Sequence, residues 1–307
     1  MMKKKTLLAA GAATVAGIAT LTLVGSYQQW KRSELARTQV ESRLATTPLG
    51  VVEYGMEGSG PAVLISHGSP GGYDQGLGMA RWIHSPDFTF IAPSRPGYLH
   101  TPLSSGVSPA AQADLFAALL DTLEIEQAAV LAVSGGGPAA LQFALRHPAR
   151  CRGLLLLCAV AQRYVESQVY SQLARGTRLS KQITNELLLF DPFLYFVQSL
   201  ANLRSNRLME SGMLSSLSLA YLRKEGYRND MRQFAALTPY PLEQISAPTF
   251  IAHGTADTEV PFADAQLLAS SIAHSHLVSV NGANHLFFMT YEEEIMPALR
   301  DFLYTLS

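Results

Sequence analysis

Apolar and polar positions alternate in two rhythms over most of the chain. From Val51 onward, short runs rich in β-branched and aliphatic residues predict strands at "VVEY", "AVLIS", "FTFIA", "AAVLAV", "GLLLLCA", "PTFIAH" and "HLVSVN". Several of these runs are apolar on both faces, as strands in a sheet covered on both sides must be. Between the third and fourth lies "SPAAQADLFAALLDTLEI", where Ser108 can cap a helix, Pro109 suits its first turn, and Leu115, Leu119 and Leu123 share one face. Strand alternating with helix predicts the α/β class, with a mainly parallel sheet flanked by helices.

The rhythm breaks over 161–240, where the pattern reads almost wholly as helix and "NELLLFDPFLYFVQSL" is the most apolar part. This segment is expected to be a helical cap inserted into a core made of 49–160 and 241–307; extra helices of the main core are the alternative. No repeat of fixed period appears.

The N-terminus follows another pattern. After "MMKKK" the chain carries no charge from Thr6 to Gly25, which as a helix covers about 30 Å, the thickness of a bilayer core. Residues 1–26 are therefore expected to be a membrane anchor, or a cleaved signal segment ending in Val24-Gly25-Ser26. Residues 27–48, with Trp30 at the interface, are expected to be a juxtamembrane linker outside the core. Lys3, Lys4 and Lys5 compete with Lys31, Arg32, Arg37 and Arg43 in setting orientation. The expectation is a main domain outside the cytoplasm, membrane-anchored or, after cleavage, secreted or periplasmic.

Composition narrows the function. The 307 residues, 48% hydrophobic and 15% charged, suffice for one large core, and a net charge of −1 leaves no basic surplus for a nucleic-acid partner. Cys151 and Cys158 flank "RGLLLL"; along a strand they stand about 23 Å apart, too far for a disulfide. With no CxxC or HExxH pattern, they read as buried thiols, and no metal or organic cofactor is expected. Oligomeric state is left open.

The chemistry centres on "LAVSGGGPAAL". A buried strand runs into Ser134 and a helix begins near Pro138, so the chain must reverse within a few residues. Such a turn needs small residues on either side, here Ala132 and Gly136, and it pushes the serine hydroxyl outward. It also aims the Gly135 N–H at any oxyanion the serine generates.

In these features the chain resembles α/β-hydrolase-fold enzymes from Leu49 to the C-terminus, with Ala132 in place of the first glycine of the usual G-x-S-x-G elbow. A serine hydroxyl needs a base and a carboxylate to orient that base. In this fold they follow in the order Ser, Asp, His, and Asp257 in "FIAHGTADTEVP" and His285 in "HLVSVNGANHLFF" match the family's acid and histidine loops. Asp264 and Glu259 are the nearest alternative acids, and His253 reads as structural. "LISHGSPGG" resembles the family's HGxP loop, which places Gly68 and Ser69 at the oxyanion site with the Ser69 N–H as second donor. His67 then braces the loop, and Arg95 of "SRPGY" forms a structural ion pair.

The resemblance implies acyl transfer on a small or medium ester-like molecule, with Leu187 to Phe196 offering an apolar acyl pocket. Dehalogenases and epoxide hydrolases of this fold usually use an aspartate nucleophile, which the serine argues against. A proline-iminopeptidase-like enzyme is the alternative, although "SRPGY" stands where those enzymes resemble DQRG. Carbon–carbon bond hydrolases and cofactor-free perhydrolases share the triad. In another class, a non-catalytic ligand receptor on the same fold retains the pocket without turnover.

Overall fold

The computed structural model describes residues 2–201 and 215–307, with side chains over 20–200 and 216–307. Eight strands form one sheet: β1 Arg43–Thr47, β2 Gly50–Gly58, β3 Ala62–Ser66, β4 Thr89–Pro93, β5 Ala128–Val133, β6 Cys151–Leu157, β7 Thr249–Gly254 and β8 Ser275–Val280. Their spatial order is β1-β2-β4-β3-β5-β6-β7-β8. β2 runs antiparallel to β1 and β4, and all other neighbours are parallel. The direction of winding reverses at β3, which lies between β4 and β5. In such sheets the carboxyl ends at this switch point form the crevice where ligands bind.

Helices α1 Met2–Glu41, α2 Tyr73–Ile83, α3 Pro109–Thr122 and α4 Gly137–Arg146 precede the cap, which holds α5 Glu166–Ser171, α6 Arg175–Leu188, α7 Asp191–Ala201 and α8 Lys224–Ala235. Then come α9 Phe262–Ser271, α10 Phe287–Thr290 and α11 Glu292–Thr305. Ser108 caps α3, its hydroxyl oxygen accepting the Ala111 N–H at 3.2 Å.

The period-two alternation of a strand explains why the sheet has two cores. On β5, Val130 and Ala132 pack with Leu119, Leu141, Phe143 and Leu268 on one face. Ala129, Leu131 and Val133 pack with Leu77, Ile83, Leu299 and Leu303 on the other. Leu154, Leu155, Leu156 and Leu157 are all fully buried, each worth about 1.5–3 kcal/mol in apolar burial.

The N-terminal segment departs from expectation. Residues 27–48 are part of the fold, not a linker outside it. The helix continues to Glu41, the Thr38 carbonyl accepts the Tyr73 hydroxyl at 2.9 Å, and Arg37 pairs with buried Asp74 at 3.2 Å. Trp30 packs against the cap instead of serving as an interfacial anchor: its Nε1 donates to Gln198 Oε1 at 2.7 Å, and its ring lies 5.6 Å from that of Tyr195. β1 escapes sequence reading because only Ala45 and Thr47 turn inward, which leaves hardly any apolar alternation. Among the described residues no helix is long and apolar enough to cross a membrane. Most side chains of the expected anchor or signal segment, and residues 202–214 of the expected cap, lie outside the described residues.

Candidate active site

The end of β5 sets Ser134. Ser134 adopts φ 50°, in the left-handed region that costs a non-glycine residue about 1–2 kcal/mol. The Val160 N–H donates to the Ser134 carbonyl at 3.0 Å, and the Ser66 hydroxyl donates to the Gly136 carbonyl at 2.9 Å, so the turn is held from both neighbouring strands. Space explains the glycines. A Cβ on Gly135 would collide with the Ser69 hydroxyl, one on Gly136 with the Ser66 carbonyl, and one on Gly137 with the Val160 carbonyl. The need at Gly137 comes from the loop that follows β6 and could not be read from the motif.

The loops after β7 and β8 bring Asp257 and His285 to the same place. His285 Nε2 lies 3.0 Å from Ser134 Oγ, and its Nδ1 lies 2.7 Å from Asp257 Oδ2. The Asp257 side chain is fully buried, and its Oδ1 accepts the N–H groups of Glu259 at 2.8 Å and Val260 at 3.0 Å. With a carboxylate at Nδ1, the tautomer that carries its proton there leaves Nε2 free to accept from the serine. Burial opposes the Asp257 charge, but bonds from His253, His285 and the Glu259 N–H outweigh it and hold the carboxyl below its usual range. Burial likewise opposes an imidazolium at His285, yet the adjacent Cys158 sulfur and Asp257 raise its pKa well above the ordinary value. The placement of Cys158 beside His285 was missed in the sequence, where the thiol looked like apolar filling.

The remaining candidates fall into place around this pair. His253 is buried, its Nε2 shared between the Val260 carbonyl at 3.0 Å and Asp257 at 3.1 Å. Asp264 lies on α9 and accepts the Ala161 N–H and the Gln162 amide, both at 2.8 Å, away from the histidine. Gly68 abuts Ser134: a Cβ built on it would stand 3.5 Å from Ser134 Cβ. Its N–H is bound by Gln75 Oε1 at 2.7 Å and is spent. Gly135 opens the turn into α4, where N–H groups lack intrahelical acceptors. His67 is buried and held neutral, first by burial and then by Arg95; its Nδ1 faces the Gly68 carbonyl at 2.7 Å and its Nε2 accepts the Arg95 N–H at 2.9 Å.

A cavity of about 540 Å³ opens above Ser134. The far wall is polar. Glu259 accepts the Tyr170 hydroxyl at 2.5 Å and pairs with Lys181, while Glu166 accepts Asn185 Nδ2 at 2.7 Å and the Tyr227 hydroxyl at 3.2 Å. Burial and these carboxylates raise the pKa values of Tyr170 and Tyr227, so both phenols stay protonated donors. Of the run expected to line an acyl pocket, only Leu188 and Leu189 reach the cavity. Leu194 is buried inside the cap, and Phe190 and Phe196 face outward. Among the described residues no group of three His, Cys, Asp or Glu side chains could hold a metal ion.

Known proteins resemble this chain over most of its length. An uncharacterized hydrolase, YcgS, of Bacillus subtilis (strain 168) is 27% identical over 259 residues, covering 79% of this chain and 91% of its own. A 2-hydroxymuconate semialdehyde hydrolase of Pseudomonas putida is 25% identical over 264 residues, covering 80% and 88%. A solved alpha/beta hydrolase fold protein from Nakamurella multipartita superposes with a TM-score of 0.69 at 33% identity, covering 86% of this chain and 98% of that one. The alpha/beta hydrolase fold family matches residues 61–291, and this chain belongs to it.

Proposed function

We propose that the chain is a serine hydrolase that works by acyl transfer on neutral carboxylic esters of small to medium size. The observation that carries this reading is the double engagement of His285, 3.0 Å from Ser134 Oγ and 2.7 Å from Asp257 Oδ2. His285 Nε2 takes the Ser134 proton as the oxygen attacks the ester carbon, and the N–H groups of Ser69 and Gly135 hold the resulting oxyanion. The proton passes to the leaving alcohol, and water, activated by the same imidazole, then releases the acid from Ser134.

The cavity supports both size and charge. Its volume suits a small ligand. Its two carboxylates, Glu166 and Glu259, face one ammonium, Lys181, which Glu259 already engages. The surplus negative charge disfavours an acid-bearing substrate. A carbon–carbon bond hydrolase is the second reading, favoured by the relative named for 2-hydroxymuconate semialdehyde and opposed by that same charge.

The test is a panel of p-nitrophenyl esters, amides, prolyl peptides and dienoate diketones, with fluorophosphonate labelling of Ser134. Ester turnover and labelling that both vanish in Ser134→Ala are expected; turnover that survives the substitution removes the reading. For location, we propose that residues 1–26 tether the catalytic domain outside the cytoplasm, or release it if cleaved. The uncharged run from Thr6 to Gly25 supports this. Protease protection of intact cells tests it, and a protected cytosolic domain would end it.

A further inference from the structure

We propose that Asp230, on cap helix α8, is a positioning residue for the oxyanion loop: by holding the Ser69 hydroxyl, it fixes the Ser69 N–H beside Ser134. The proposal rests on the acyl-transfer reading. Three segments meet at this one carboxylate, namely the loop after β3 with Ser69, the loop after β4 with Arg95 and Tyr98, and the cap.

Asp230 and Arg95 are each 1% exposed. Arg95 donates to Asp230 through Nη1 at 2.9 Å and Nη2 at 2.7 Å, and the Tyr98 hydroxyl donates to Asp230 Oδ2 at 2.5 Å. The Ser69 hydroxyl donates to the same Oδ2 and accepts from Arg95 Nη2 at 2.9 Å. A buried charge pair with every donor engaged has one favourable geometry, so the hydroxyl is held in a single rotamer.

The core holds the preceding residues of the loop. Arg95 Nε donates to the His67 carbonyl at 3.0 Å, and Gln75 holds the Gly68 N–H. Ser69 is tied at its side chain to Arg95 and Asp230, and it packs where a Cβ on Gly135 would collide with it. A shift of Ser69 therefore moves one oxyanion donor relative to the other. Because Asp230 belongs to the cap, seating of the cap and assembly of the oxyanion site are one event.

The experiment compares wild type, Ser69→Ala, Asp230→Asn and the double variant, in kcat and KM for p-nitrophenyl butyrate and in the rate of fluorophosphonate labelling. Ser69→Ala keeps the backbone N–H and deletes only the tether. Removing an oxyanion donor outright costs about 10²–10³ in kcat, and loosening one is expected to cost about tenfold in kcat and labelling rate. KM is expected to stay within about twofold, and kcat is referred to active sites counted from the endpoint of fluorophosphonate labelling, so that a smaller folded fraction does not count as a slower enzyme. The double variant is expected to be no slower than its slower parent. A Ser69→Ala enzyme within twofold of wild type in kcat overturns the proposal, as do multiplying effects in the double variant. If Asp230→Asn fails to fold, Ser69→Ala alone decides, since it leaves the charge pair intact. A wild type that does not label removes the acyl-transfer reading and this proposal with it; labelling that is equal in wild type and Ser69→Ala removes only this proposal.

Discussion

The two walls of the cavity are held in place by different means. On the core side, Ser134 is set by the backbone itself, through a left-handed φ at the end of β5, and Asp257 by the N–H groups of Glu259 and Val260. On the cap side, Glu166, Tyr170, Lys181, Asn185 and Tyr227 hold one another and Glu259 through side chains alone. Backbone geometry survives substitution of neighbouring side chains, whereas a side-chain network changes with each of its members. In the proposed reading, the reaction is therefore set by the strand ends and the choice of substrate by the helices laid over them.

The largest effect tests the core wall. Asp257→Asn keeps the size of the side chain but stabilises the wrong imidazole tautomer, and it should lower kcat by about 10⁴. The loss should be uniform across substrates, because His285 serves each of them in the same way. Steady-state kinetics on two esters of different acyl length would check this, and a loss confined to one of them would break the division between the walls.

A second substitution tests how firmly the cap is seated. Arg223 is fully buried and joins the cap to the start of α2, donating to Asp74 at 2.8 and 3.1 Å and to the Gly71 carbonyl at 2.6 Å. Arg223→Met leaves a buried carboxylate that, among the described residues, keeps only the Arg37 cation and the Gln75 N–H. Breaking such a pair costs about 3–5 kcal/mol, and the remaining arginine places the expectation near the lower figure. Urea unfolding would measure it. A loss below about 1 kcal/mol would mean that apolar contact, not charge, fastens the cap.

The pH profile joins the two walls through His285. Only the neutral imidazole accepts the serine proton, so kcat/KM falls as pH drops through the His285 pKa. That pKa lies above 6.5, so the midpoint of the acid limb should too. Removing the negative charge at Asp257 should move the limb to lower pH. A limb that does not move in Asp257→Asn would assign it to another group.

What the sequence disclosed follows the same division. The strands around β5 and β6 are apolar on both faces, and the elbow, acid loop and histidine loop are short patterns fixed by local backbone need, so the meeting of Ser134, Asp257 and His285 at one place is legible in the sequence. β1 shows almost no apolar alternation, and α1 docks through Arg37, Thr38 and Trp30, contacts made with partners far away in the chain. The polar cavity wall was equally hidden. Glu166 and Lys181 look like ordinary exposed helix residues until the fold turns them inward toward Glu259, and "LLLFDPFLYF" looked like pocket lining because apolarity does not say which cavity a side chain faces.

The smallest effect is the one that would rewrite the cap wall. Glu166→Gln keeps an acceptor for Asn185 and Tyr227 while removing the carboxylate that no described cation neutralises. A carboxylate on the far end of an acyl chain would then meet one negative charge fewer. At an effective dielectric of about 20 and a separation of about 10 Å, that difference is roughly 1.7 kcal/mol. The ratio of kcat/KM for a hemisuccinate ester to that for the matching butyrate should therefore rise by about fifteen- to twentyfold, and the change should sit in KM, because Glu166 contacts no reacting atom. A ratio that stays constant would show that the far wall does not sense substrate charge, and an equal fall for both esters would place Glu166 in support of the triad and so erase the line between the two walls.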